Sequence, residues 1–137
     1  MEHGAHNMEQ FHVTHNMEQG TKFHEKLRQK MDEYVHFVYK ITKKLPKEEV
    51  YGVTSQLRRA ALSVVLNYIE GYARMRSKVY KVFLENSYAS LQESKYLIEF
   101  SFKEGFLNKM DFEKAIKLAD EIGAMLWSTI KHITHNI

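Results

Sequence analysis

The stretch SKVYKVFLENSYASLQESKYLIEFS, residues 77 to 101, decides the fold. Tyr80, Leu84, Ser87, Leu91, Ser94, Ile98 and Ser101 recur in it at alternating intervals of four and three, which puts them on one face of a helix. Large and small side chains alternate along that face, a pattern suited to close helix packing, and Ser77 is predicted as its N-cap. Upstream, a helix is predicted over Lys47 to Ala73, where Val50, Leu57, Ala61, Val64, Tyr68 and Gly71 keep the same period. Pro46 is placed to start it, and Glu48 and Glu49 suit its positive end. A first helix over Thr21 to Leu45 carries Leu27, Met31, Tyr34, Val38, Ile41 and Leu45 and stops at Pro46. Downstream, the chain turns near Gly105, and Asn108 is a second predicted N-cap with Asp111 three residues on. Phe112, Ile116, Ala119, Gly123, Leu126, Ile130 and Ile133 then continue the beat. Helices of about 25 residues are roughly 37 Å long. Turns this short join only antiparallel neighbours, so the expected fold is all-α, an up-down-up-down four-helix bundle over residues 21–137.

Composition supports this. A chain of 137 residues fits one domain, and one Pro and six Gly are too few for a turn-rich β fold. The absence of cysteine removes disulfides, thiolate zinc sites and cysteine nucleophiles, and points to a reducing cytoplasm. No segment has the roughly 20 uninterrupted apolar residues of a membrane span, and MEHGAHNMEQ is too polar for a signal peptide. Residues 1–20 stand apart, with His3, His6, His12 and His15, no Lys or Arg, and the pentapeptide HNMEQ at 6–10 and again at 15–19. They have little apolar surface to bury, so a mobile His-rich tail is expected there, able to hold nickel or zinc only adventitiously. The formal charge is +3, but the three tail glutamates mask a body of 20 basic and 14 acidic residues.

Within that body, Arg58, Arg59, Arg74, Arg76, Lys78 and Lys81 face only Glu70 as an intervening acid. The second turn should therefore be cationic and suited to a phosphate polymer. No base-reading helix accompanies these residues, so binding would follow backbone and shape. Arg59, Ser63, Asn67, Glu70 and Arg74 fall on one face of the second helix, a polar seam that can fix helix register through internal hydrogen bonds. Val65, Ile69, Tyr72, Val79, Phe83 and Leu97, with Phe100, Phe102 and Phe106, exceed what one core stripe needs. Such surplus marks contact with further copies of the chain. Glu33 and His36 have the E-x-x-H spacing of diiron bundles, but the only other such pair, Glu9 and His12, lies in the tail. No catalytic residue, metal site or cofactor is expected.

The sequences QLRRAALSVVLNYIEGYAR, residues 56 to 74, and SKVYKVFLENSYASLQES, residues 77 to 94, resemble the bacterial 23S rRNA-intervening-sequence, or S23 ribosomal protein, family. The resemblance rests on Gln56, Arg58, Arg59, Ala60, Ser63, Asn67, Glu70 and Gly71, and on Phe83, Leu84, Ser90, Leu91 and Glu93. Val65 stands where many members have Pro, and Tyr88 with Ala89 where an Ala-Arg-Gly-Ser run is usual. The resemblance implies a homopentamer of antiparallel bundles with a central channel and an association with RNA or ribonucleoprotein assembly. The alternative it implies is a protein–protein scaffold, like the accessory proteins that help the reverse transcriptase of diversity-generating retroelements.

Overall fold

The computed structural model describes the backbone of residues 2–135 and the side chains of residues 20–135. Among the described residues there are four α-helices, a short 3-10 turn at Lys47–Glu49, and no strand. The helices are α1 (Glu2–Thr42), α2 (Val53–Ala73), α3 (Tyr80–Lys103) and α4 (Lys109–His135). The side chains of the predicted tail, up to Gln19, lie outside the described residues.

Cross-helix pairs give the direction and register. Lys30 meets Glu121 and Lys44 meets Asp111, each at 2.6 Å, so α4 descends as α1 rises. Ser63 meets Ser90 while Gly71 lies against Phe83, so α2 and α3 are antiparallel as well. Each helix packs on two neighbours, α1 on α2 and α4, α3 on α2 and α4, which closes a four-membered ring around one core. The predicted stripes of the first three helices fill it, with Leu27, Met31, Tyr34, Val38, Leu57, Val64, Leu84, Leu91 and Ile98 all buried, except that Tyr80 is half-buried and Val50 is exposed ahead of α2.

On α4 the buried residues are Ala115, Leu118, Ala119, Ile122, Leu126 and Ile130. The predicted Phe112, Ile116, Gly123 and Ile133 stand at the edge of this line. The helix carries two overlapping apolar rows, and the one with Ala115 and Leu118 turns inward.

Small residues on α3 let the backbones approach. Ser87 Oγ donates to the Val64 carbonyl of α2 at 2.6 Å, while Ser94 and Ser101 donate to carbonyls of their own helix. Because the Ser94 hydroxyl proton is used on Leu91 O, the buried Tyr34 hydroxyl is the donor in its 2.7 Å bond to Ser94 Oγ. No polar atom of this pair is orphaned, so its burial costs little.

The helix starts depart from the sequence reading at three places, the first being α1, whose backbone is helical from Glu2 instead of from Thr21. The second helix starts at Val53 instead of Lys47, because Pro46 is followed by one 3-10 turn and the chain bends through Gly52. Glu49 Oε2 then accepts the Val53 N–H at 3.4 Å. Ser77 caps nothing; its hydroxyl donates to Arg74 O at 2.8 Å, closing the turn between α2 and α3, and α3 begins at Tyr80. The other two signals hold. Asn108 Oδ1 accepts the Asp111 N–H at 2.7 Å. Gly105 has φ +80°, the left-handed conformation that lets Phe106 N–H reach Ser101 O and Gly105 N–H reach Phe102 O, a Schellman ending.

Much of the apolar surplus has an internal partner. Val65, Leu97 and Phe106 pack on the core, Phe102 stacks on Phe112, and Tyr72 stacks on His24. Ile69 and Val79 remain exposed, joined by Leu62, Leu66 and Val82, with Leu66 61% and Val82 52% accessible. Helical spacing puts these five on the outward side of the α2–α3 pair.

Candidate nucleic-acid interface

The polar seam of α2 is a hydrogen-bonded row along the contact with α3. Asn67 Nδ2 donates to Ser63 O and Ser63 Oγ, both at 2.9 Å, and Ser63 Oγ shares a 2.8 Å bond with Ser90 Oγ. At one end Arg59 pairs with Glu93 of α3 and donates to Gln56 Oε1. At the other, Arg74 Nε pairs with Glu70 at 2.7 Å, and the guanidinium stands 5.9 Å from the Phe83 ring. These groups satisfy one another and fix the register of two helices. An exposed pair such as Arg74–Glu70 adds little stability, on the order of 0.5 kcal/mol.

The six cations read from the sequence do not form one cluster. Arg58 and Arg59 sit near the start of α2, about 24 Å along the helix from Arg74. Arg58 turns toward α1, where Nε donates to Thr42 Oγ1 at 2.8 Å and the guanidinium covers the Tyr39 ring at 4.7 Å. Arg74, Arg76, Lys78 and Lys81 do come together, at the connection from α2 to α3. Among the described residues, Arg76, Lys78 and Lys81 have no carboxylate within ion-pair distance, unlike Arg59 and Arg74. Arg76 and Lys78 are exposed and Lys81 is half-buried. The same end of the bundle receives the C-terminal turns of α4, with Lys131, His132 and His135. The result is an end of the bundle where, among the described residues, Arg76, Lys78 and Lys81 stand without a carboxylate partner.

Sequence reasoning missed an aromatic cluster beside it. His24 of α1 stacks on Tyr72 with ring centroids 3.5 Å apart, and its Nδ1 shares a 2.8 Å bond with the Tyr68 hydroxyl. Burial lowers the His24 pKa, helped by the nearby Arg28 cation, so the imidazole is neutral at pH 7. Burial also raises the pKa of Tyr68 and of Tyr80, keeping both phenols protonated. Arg28 Nε is buried without a hydrogen-bond partner. The available signal was the repetition of His24 with Arg28, and of Tyr68 with Tyr72, at intervals of four; the register between the two helices was not readable. Glu33 and His36 are exposed on α1, and among the described residues no three His, Cys, Asp or Glu side chains gather where a metal could sit.

This fold and site define a class: an antiparallel four-helix bundle with a cationic end and an outward apolar face. A family model for the 23S rRNA-intervening sequence protein matches residues 24–128, and the chain belongs to that family. Among solved structures it is similar to a protein of unknown function from the S23 ribosomal protein family of Bacteroides thetaiotaomicron. The TM-score is 0.70 at 20% identity, covering 77% of this chain and 98% of that one, a likeness of fold. No curated protein matches the sequence. No helix among the described residues is long and apolar enough to cross a membrane.

Proposed function

We propose that this protein is a non-enzymatic, cytoplasmic, oligomeric bundle that binds RNA or assists ribonucleoprotein assembly. The observation that carries the reading is the concentration of Arg76, Lys78 and Lys81 at the α2–α3 connection with no carboxylate partner among the described residues. Cations held without internal partners are available to phosphates, and their binding releases condensed counterions. Arg74 adds to this group, while Arg58 and Arg59 are engaged within the fold and serve the helix contacts. The outward row Leu62, Leu66, Ile69, Val79 and Val82 supports assembly with further copies, a pentamer in the form the family resemblance implies. Assembly would bring several cationic ends into one array.

The test is a salt titration of RNA binding by the full chain. Affinity is expected to be measurable at about 50 mM salt and to fall steeply by about 200 mM. Replacing Arg74, Arg76, Lys78 and Lys81 by Gln is expected to abolish binding and leave the assembly mass unchanged. Absence of binding at the lower salt, or an affinity indifferent to salt, would refute the reading.

The outward apolar face favours a second reading, a scaffold for another protein such as a polymerase. It predicts that the Gln variant keeps its partner while a change at Leu66 loses it.

A further inference from the structure

The cationic end holds more than charge. A cleft of about 640 Å³ opens there between the α2–α3 connection and the last turns of α4. Its walls divide by chemistry: Met75, Tyr80 and Ile133 give apolar surface, and Arg76, Lys78 and Lys81 stand around them. The volume lies in the range of small-molecule sites, roughly 300–1,000 Å³. A phosphodiester backbone alone gains nothing from apolar walls, and a purely apolar guest gains nothing from three cations. A flat, weakly polar ring attached to phosphates on either side uses both.

We infer that this cleft takes an unstacked nucleobase of a single-stranded RNA, with the flanking phosphates held by Arg76, Lys78 and Lys81. The inference rests on the RNA-binding reading and narrows it to single strands, because a base within a duplex is stacked and its faces cannot reach a protein wall. Ser77 and His132 complete the lining, and contact through the ring face with Met75, Tyr80 and Ile133 makes the site tolerant of sequence.

The experiment uses the full chain and labelled 15-nucleotide RNAs: a single strand carrying all its bases, the same strand with abasic sites throughout its centre, and a duplex of equal length. Anisotropy at about 50 mM salt is expected to show the base-bearing strand bound about tenfold more tightly than either of the others. Met75→Ser and Ile133→Ser, each checked for helicity and mass, are expected to remove most of that advantage and leave the weaker, salt-dependent binding of the abasic strand. Equal affinity for base-bearing and abasic strands, both salt-dependent, overturns the inference while the phosphate reading survives. Binding of none of the RNAs overturns both. An advantage for bases that neither variant diminishes places the base elsewhere and overturns the cleft. Loss of subunits by Met75→Ser would make the cleft a contact between copies and overturn it too.

Discussion

His24 is a titratable residue whose state is set by its neighbours. Stacked on Tyr72 and bonded to Tyr68, it is kept neutral first by burial and then by Arg28. Protonation would place a donor at Nδ1 and a second cation beside Arg28. Since the pKa is lowered in the fold from about 6.5, the unfolded chain binds the proton first as pH falls. The stabilising contribution is therefore present above about pH 6.5, is lost as pH drops from there toward the folded value, and levels off below it. His24→Phe keeps the stack without a titrating ring. Thermal melts are expected to show a smaller loss of Tm between pH 7.5 and pH 5.5 for this variant than for the unaltered chain. An identical pH dependence for the two would show that His24 carries no such linkage.

At the scale of elements, the contact between α2 and α3 depends on a missing side chain. A methyl at Gly71 would lie 3.0 Å from Phe83 Cβ, an atom fixed to the opposing backbone, so the helices would have to separate. Overpacking of this kind costs about 1–3 kcal/mol, against about 1 kcal/mol gained in helix propensity from Gly to Ala. Gly71→Ala is expected to lower Tm by about 3–6 °C, measured by thermal denaturation. The core stripes of α1, α2 and α3 were legible because a continuous run at intervals of four and three marks the inward row, whereas on α4 two such rows overlap, and packing against α1 and α3 selects between them. The caps at Asn108 and Gly105 were legible because their chemistry is local. The start of α2 was not: Glu48 and Glu49 suit a helix, but the chain makes a 3-10 turn and a bend at Gly52 before committing to one.

At the scale of the molecule, Leu66 decides whether the outward face is an interface. It is exposed in the protomer, so Leu66→Glu should change protomer stability by no more than about 0.5 kcal/mol. In the proposed assembly it would bury a charge, and sedimentation at micromolar concentration is expected to show the mass falling to the 16.2 kDa of one chain. A variant that keeps the mass of the unaltered protein would remove this face from the assembly. The cations Arg74, Arg76, Lys78 and Lys81 were legible as a charge run because the run spans one turn. Arg58 and Arg59 were misgrouped with them because a helix carries residues 15 or 16 places apart to opposite ends. His24 and Tyr72 were hidden because 48 residues separate them in the chain.

The short link from α2 to α3 joins two rods that are pinned together at Gly71, at Ser87 and at the Ser63–Ser90 bridge. Neither rod can slide past the other without breaking all three. The link that carries the charges is therefore anchored at both ends, and only the long Arg and Lys side chains are left to adjust to a polyanion that meets them.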